Sequence, residues 1–308
     1  MLHENNNAET SRGSTVTGGA DFKENVIASR QNRSVVMLSK LDDKKYRDAD
    51  KCFRYDGIKL FAEACRCGVC NVCVYLRESN AEAVRKKLSE RGITKIEDYT
   101  EKCLVVKDDV FDKISSEKSP EGIICVAKYI DKFHKIIKID KRAFTNNKED
   151  LPDGMLEAGR ILMLEAVRDP GNLGTIIRSA YALGIDTVVM SSDCADIYNS
   201  KTIRAAMGAL FAIKTVKTND LETLVGYIRN NCQRRVFAAT LAEGATPLGS
   251  FELKKSDIIV IGNEGHGLSQ NIQNACDGGI YIPMRDGAES LNAAMAATVC
   301  IWEMTRAE

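Results

Sequence analysis

The sequence predicts an α/β protein: an open, mostly parallel sheet in the C-terminal half, preceded by a smaller α/β unit. Three observations lead there. Short runs such as "RILMLEAV", "DTVVM" and "DIIVIG" are apolar on both faces, as strands covered by helices on either side must be. They alternate with stretches whose apolar residues recur every three to four positions, the spacing of an amphipathic helix. A chain of 308 residues with 44% hydrophobic content is also long enough to bury two cores.

In chain order, residues 1–33 are polar, with Asn, Ser, Thr and Gly near the start, and are expected to form a loose tail. Residues 34–134 read as the first unit. In it, "DGIKLFAEACRCG" has helical spacing at Ile58, Phe61, Ala64 and Cys65 and ends on Gly68, a C-cap residue. "VCNVCVYL" follows as a strand, "NAEAVRKKLSERGI" as a helix opening at an Asn cap, "KCLVVKDDVFDKISS" as strand then helix, and "GIICVAKYI" as a closing strand. Residues 135–159 are polar and too long for a loop inside one compact unit, which predicts a linker. From 160 to 308, strands are expected at "RILMLEAV", "DTVVM", "RVFAATL", "DIIVIG" and "GIYIPM". Helices are expected at "NLGTIIRSAYALG", "KTIRAAMGAL", "DLETLVGYIRNN", "LSQNIQNAC" and "SLNAAMAATVCIWEMTR".

Composition narrows the function. No apolar run approaches the ~18 residues a membrane span needs. Lys plus Arg balance Asp plus Glu at 43 each, so any nucleic-acid binding must come from local patches. The 11 cysteines, without a secretion signal, point to a reducing cytoplasm rather than a disulfide framework. Four of them crowd into "ACRCGVCNVCVYL" as Cys65, Cys67, Cys70 and Cys73. A zinc site needs four sulfurs converging tetrahedrally. Here two cysteines fall near a helix end, while Cys70 and Cys73, three apart on a turn and strand, face opposite ways. They read as small hydrophobes filling space, and no metal is expected.

Ligands of such sheets bind at the carboxyl ends of the strands, so the strand-to-helix turns carry the functional signal. Three stand out. In "RDPGNLGTIIRSA" a Pro-Gly turn opens a helix that Asn172 can cap, with Arg178 one and a half turns in, near the end that faces a ligand. In "IGNEGHGLS" the glycines suggest close backbone approach. The spacing is G-x-x-G-x-G rather than G-x-G-x-x-G, and Glu264 stands where a pyrophosphate would need donors, so a dinucleotide loop is disfavoured. His266 reads as a solvated loop residue. In "YIPMRDGAESLNAAMAA", Glu289, Ser290 and Asn292 place polar groups around the start of the last helix, with Glu289 or Ser290 as possible caps. Ala293, Ala294, Ala296 and Ala297 give that helix a smooth face.

"DPGNLGTIIRSA", "GNEGHGLS" and "IPMRDGAESLNAAMAA", in this order, resemble the three motifs of the SpoU, or TrmH-like, branch of the SPOUT RNA methyltransferases. The resemblance is strong over residues 160–308. Residues 30–130 resemble, less specifically, the ribosomal-protein-like RNA-binding domain that often precedes this catalytic domain, with Tyr55-Asp56-Gly57 where Glu-Gly is common. The resemblance implies a C-terminal trefoil knot, a homodimer, S-adenosylmethionine as methyl donor and a ribose 2′-hydroxyl of rRNA or tRNA as acceptor. It implies a donor pocket at Thr240, Leu241, Gly262, Ile282, Met284, Leu291 and Ala296. It also implies catalytic or RNA-orienting roles for Asn172, Arg178, Glu264, Ser290 and Asn292, and an RNA contact at Arg204.

Methyl transfer from a sulfonium is an in-line displacement, so alignment dominates. A 2′-hydroxyl needs its proton removed or shared, and the one His in the motifs, His266, reads as a solvated loop residue and not a base. Arg178 then either acts as a base with help from an RNA phosphate or orients that phosphate and stabilises the emerging alkoxide. A second basic cluster, Arg30, Arg33, Lys40, Lys44, Lys45 and Arg47, is expected to meet phosphates, although four Asp residues dilute it. The substrate expected is 23S rRNA, with tRNA as the alternative. The rival readings are a catalytically silent RNA-binding scaffold and a nucleotide-dependent oxidoreductase.

Overall fold

The structure, a computed structural model, describes residues 26–130, 134–140, 159–287 and 290–306. Most of the expected tail, the 141–158 part of the expected linker and Glu289 lie outside the described residues.

The N-terminal unit runs α1 (Arg33–Lys40), α2 (Lys44–Asp50), β1 (Cys52–Asp56), α3 (Ile58–Arg66), β2 (Asn71–Arg77), α4 (Ala81–Ser89), β3 (Cys103–Val106), α5 (Asp108–Ile114) and β4 (Ile123–Lys128). Its four-stranded sheet has the order β1-β4-β2-β3, antiparallel except for β2 with β3. Local chemistry sets the helix starts. The Asn32 side chain accepts from Ser34 N at 2.9 Å to open α1, and Asp43 accepts from Lys45 N at 2.9 Å to open α2. Gly68 follows α3 at φ +68°, as its C-cap role requires. Asn80 stands at the start of α4 without a side-chain capping bond. Ile27 already bridges to Val106, and α1 begins at Arg33, so order starts inside the stretch read as tail.

The C-terminal unit runs β5 (His134–Ile137), β6 (Ile161–Leu164), α6 (Pro170–Ala182), β7 (Thr187–Ser191), α7 (Ser200–Ala206), β8 (Lys214–Thr218), α8 (Leu221–Asn231), β9 (Val236–Ala239), β10 (Thr246–Pro247), β11 (Ile258–Ile261), α9 (Gln270–Ala275), β12 (Gly278–Tyr281) and α10 (Ala293–Thr305). Eight strands form one sheet in the order β10-β12-β9-β11-β6-β7-β8-β5, and every pairing is parallel. The expected linker therefore needs correcting at its start: residues 134–137 are the edge strand of the large sheet, paired to 215–218. The sequence hid this because β5 and β8, "HKII" and "KTVKT", carry little apolar signal; a neighbouring strand supplies the partner that composition does not show.

Helices cover both faces. On one, α6, α7 and α10 pack closely; a Cβ on Gly174 would collide with the backbone of Thr202 and the methyl of Ala205, so only glycine lets α6 and α7 approach this far. Ala294 and Ala297 of α10 are buried in the same cluster, and Thr298 donates to Ser179 Oγ at 2.9 Å, tying α10 to α6.

The two units share one core. Phe53 and Tyr55 of β1 project from the small sheet toward Tyr198 and Phe211 of the large unit, with ring centroids 4.8 Å apart for Phe53–Tyr198 and 5.5 Å for Tyr55–Phe211. Tyr129 stacks on Tyr198 at 3.9 Å, and the Tyr198 hydroxyl accepts from Ile130 N at 2.7 Å. Arg47 of α2 meets Asp196, in the loop after β7, at 2.8 Å.

Candidate functional site

The carboxyl ends of β6, β9, β11 and β12 release the chain into four neighbouring loops, because a parallel sheet puts all such ends on one edge. Between the loops after β9, β11 and β12 and the start of α10 lies a cavity of about 640 Å³, the size of a small-molecule site. Thr240, Leu241, Gly262, Ile282, Met284, Leu291 and Ala296, the seven residues implied as donor-binding, all line it. Glu264 and Ser290 line it too, whereas Asn172, Arg178 and Asn292 do not.

The three polar turns are joined by side chains. Asn292 Nδ2 donates to Asn172 Oδ1 at 3.0 Å, and Asn172 Nδ2 donates to Glu264 Oε1 at 2.8 Å. Three segments separated by 92 and 120 residues thus meet in one hydrogen-bonded chain. The helix caps differ from expectation, and the difference frees these groups. Asp169, not Asn172, caps α6, accepting from Asn172 N at 2.7 Å; the Asn172 side chain is left to reach Glu264. Asn292, not Ser290, caps α10, accepting from Ala294 N at 2.9 Å and keeping its amide nitrogen for Asn172.

Asn263 holds the second turn. Its Oδ1 accepts from Gly265 N and His266 N at 2.9 and 3.2 Å, and its Nδ2 donates to Ala166 O at 2.8 Å. Ala166 sits in the left-handed region at φ +53°, a costly conformation for alanine that this bond and one from Ala166 N to Ser191 Oγ help to hold. Gly262 has no room for a Cβ, which would collide with Gly267 and Leu268; the close approach foreseen for this turn is the loop closing on itself. His266 is exposed.

Sequence reasoning missed Gln273. From α9 it accepts from Thr240 Oγ1 at 3.0 Å and donates to Leu268 O at 2.9 Å, tying two walls of the cavity together. Nothing in a short polar helix marks one glutamine over its neighbours. It also missed Glu165, which accepts from Ser269 N and Oγ at 2.8 and 2.6 Å and anchors α9 to β6.

The electrostatics of the cavity restrict its ligand. Among the described lining residues there is no Lys or Arg, and one carboxylate, Glu264, stands at the wall. A pyrophosphate would find no cationic side chain there, while a sulfonium would meet no repulsion. Leu241 and Leu291, 63% and 42% exposed, leave apolar surface uncovered at the mouth. Cys300 at the wall is a neutral thiol, pushed up to about 12 by burial, and is no nucleophile at neutral pH.

Arg178 lies elsewhere. It is the ninth residue of α6, more than two turns from the helix start rather than one and a half. Its side chain is exposed and makes no hydrogen bond or ion pair with a described residue.

Of the residues expected to meet RNA, Arg30, Arg33, Lys44 and Lys45 are exposed. Arg47 is not: it is 4% exposed, donates to Leu41 O and Asp42 O at 2.8 Å, and is consumed by the bond to Asp196. It joins the two units instead of facing a ligand. Arg204 reaches back to the N-terminal unit, 3.4 Å from Glu117 and 3.2 Å from Ser116 Oγ. The cysteine run diverges: Cys65 and Cys67 lie on and just after α3, Cys70 is exposed and Cys73 is buried. Among the described residues no group of three or more His, Cys, Asp or Glu could hold a metal ion.

Comparison with known proteins agrees with this geometry. Residues 159–302 match the SpoU rRNA Methylase family, and residues 32–125 match the MRM3-like substrate binding domain. The C-terminal unit is a SpoU methylase domain. Among its relatives, it is 29% identical to the 23S rRNA (guanosine(2553)-2′-O)-methyltransferase RlmP of Bacillus subtilis (strain 168), over 90% of this chain and 98% of that one. It is 33% identical to the 23S rRNA (uridine(2479)-2′-O)-methyltransferase of Streptomyces viridochromogenes, over 47% of this chain and 52% of that protein. The AdoMet-bound rRNA methyltransferase from Sinorhizobium meliloti superposes with a TM-score of 0.69 at 26% identity, covering 91% of this chain and 97% of that one. The fold expected from the motifs, an α/β knot domain behind a smaller α/β domain, is the SpoU fold.

Proposed function

We propose that this protein transfers a methyl group from S-adenosylmethionine to a ribose 2′-hydroxyl of 23S rRNA. The observation that carries the reading is the meeting of the three SpoU turns: the Asn292–Asn172–Glu264 chain at the rim of a cavity walled by all seven residues implied for the donor. The residues fit that donor. The absence of Lys and Arg from the described lining suits a sulfonium, and Leu241, Ile282, Met284 and Leu291 offer apolar walls to its uncharged parts. When bound, S-adenosylmethionine supplies an electrophilic methyl group.

The chain's own groups supply alignment. The loop 262–268, stiffened by Asn263, gives the cavity a fixed wall, and Glu264 and Ser290 set polar atoms at its mouth. Asn172 and Asn292 hold Glu264 in place and leave the mouth open. Arg178 is assigned to the acceptor side, taking the hydroxyl proton with help from an RNA phosphate or stabilising the alkoxide. Because it stands outside the cavity of its own chain, the reading needs a second copy. Tyr181 of α6 and Met295, Val299 and Trp302 of α10, a helix tied to α6 through Thr298 and Ser179, are 53%, 60%, 40% and 56% exposed apolar groups. We assign that face to a homodimer contact that carries Arg178 of one copy toward the cavity of the other.

The N-terminal unit, locked to the large one through the Tyr198 cluster, is assigned to RNA capture, and the reaction to the cytoplasm. No helix among the described residues is long and apolar enough to cross a membrane. Mapping ribose methylation in cellular rRNA and tRNA, with and without the protein, tests the reading. One 23S site losing its mark supports it; a lost tRNA mark would move the substrate to tRNA; unchanged marks in both would reject it.

A further inference from the structure

We propose that Tyr46 is a stacking platform for one unpaired RNA nucleotide, with Lys40 and Lys45 holding the phosphates beside it. The inference rests on the RNA-methyltransferase reading and gives it a recognition element in the N-terminal unit.

The face that α1 and α2 turn outward is not an ordinary solvated helix surface. Val36 and Met37 of α1 are 40% and 42% exposed, and Tyr46 of α2 is 37% exposed. Lys40 Nζ lies 5.5 Å and Lys45 Nζ 5.9 Å from the centre of the Tyr46 ring. Neither lysine makes an ion pair with a described residue, so both cations are held only by a weak, exposed ring contact.

Three of the four acids that dilute this charge, Asp42, Asp43 and Asp48, are engaged elsewhere. Asp42 lies 3.5 Å from the Arg54 guanidinium. Asp43 caps α2 through Lys45 N at 2.9 Å. Asp48 takes Lys44 and accepts from the Tyr129 hydroxyl at 2.8 Å. These three carboxylates are engaged by the protein's own donors, Asp50 is exposed, and the two lysines, without an ion pair among the described residues, converge on a half-exposed aromatic ring.

That combination selects the occupant. A polyanion alone would need the lysines and not the ring; an apolar protein surface would need the ring and leave two cations unneutralised. An unpaired stretch of RNA carries both a flat π face and flanking phosphates, whereas a duplex keeps its base faces stacked. Placement agrees. Arg47, the next residue on α2, is bonded to Asp196 in the loop leaving the carboxyl end of β7, on the same sheet edge as the cavity. A nucleotide held on Tyr46 is thereby fixed relative to the reaction site.

The test uses the full chain and two RNA probes: a hairpin with 2-aminopurine in its unpaired loop, and a fully paired duplex of equal length. The expected result is quenched loop fluorescence with the unchanged protein. Tyr46→Ala should abolish the quenching and weaken hairpin binding about tenfold while duplex affinity holds. Tyr46→Trp should retain both. Lys40→Gln with Lys45→Gln should weaken both probes and flatten the salt dependence by roughly one and a half to two units of slope. Circular dichroism and donor binding by calorimetry should be unchanged in every variant. Tyr46→Ala that binds and quenches the hairpin like the unchanged protein overturns the platform and leaves the enzyme reading standing. An unchanged protein that binds neither RNA overturns both. Loss of self-association in Tyr46→Ala, with hairpin binding intact, would assign the face to a second copy and also reject the proposal.

Discussion

The cavity and part of the seam between the two units, Asp196 and Tyr198 in the loop after β7, draw on one edge of the same sheet, yet they are made of opposite material. The seam is filled: Phe53, Tyr55, Tyr198 and Phe211 are each 3% exposed or less, and the buried Arg47 finds Asp196. The cavity is left open, with Leu241 and Leu291 exposed, Glu264 at the rim, and Arg178 outside it exposed and without a partner among the described residues. Folding satisfies groups wherever it can, because an unpaired buried charge or an uncovered apolar wall costs free energy. Groups left unsatisfied in a chain whose other loops are satisfied so thoroughly are the ones a ligand completes.

The comparison breaks first at Arg178. If it serves the reaction and not the donor site, Arg178→Ala and Arg178→Lys should each lower turnover by about a hundredfold or more. Donor affinity by calorimetry should stay within about twofold, since the side chain lies outside the cavity. Near-normal turnover in both variants would remove Arg178 from the chemistry.

The seam comes second. Asp196→Ala leaves a guanidinium buried without its partner, and the expected loss is about 3 kcal/mol in urea unfolding of the full chain. Donor affinity under native conditions should not change. A loss below about 0.5 kcal/mol would mean the two units are held by the aromatic cluster alone.

Gln273 gives a smaller effect. Gln273→Leu removes two hydrogen bonds that tie cavity walls, each worth about 1 kcal/mol, so donor affinity should fall about tenfold with turnover at saturation retained. Unaltered affinity would show that the walls hold their spacing without it.

The cysteine run supplies the smallest. Burial pushes the thiols of Cys65, Cys276 and Cys300 up to about 12, so at pH 8 they stay protonated and unreactive, and their thiolates form only as pH approaches that value. Exposed Cys70 should be the first thiol alkylated in the native protein, and Cys70→Ser should alter stability by less than about 0.5 kcal/mol. Loss of a bound zinc or iron on that substitution would reject the packing role.

What could be read from the sequence follows the same division. Cavity residues sit in contiguous motifs, so Gly262, Glu264 and Ser290 were legible from neighbours one or two positions away. The strands β6, β7 and β11 were legible because burial on both faces writes a continuous apolar run. The β5 and β8 strands were not, since "HKII" and "KTVKT" are strands by virtue of pairing with each other and, for β8, with β7. Arg47 was misread for a related reason. Its partner Asp196 lies 149 residues away, and a local window shows only one more cation in a basic helix. The caps failed on a finer scale: Asp169 and Asn172, or Ser290 and Asn292, compete for the same helix start, and only the third residue each can reach decides between them.

The central claim is a methyl donor held in this cavity beside a ribose oxygen. Incubating the purified protein with 23S rRNA and S-adenosylmethionine labelled in its methyl group, then hydrolysing the RNA in alkali, tests it most directly. A methylated 2′-oxygen cannot attack its own phosphate, so the account predicts label in alkali-resistant dinucleotides. Label released in mononucleotides would place the methyl on a base, and no transfer to any RNA offered, tRNA included, would contradict the account outright.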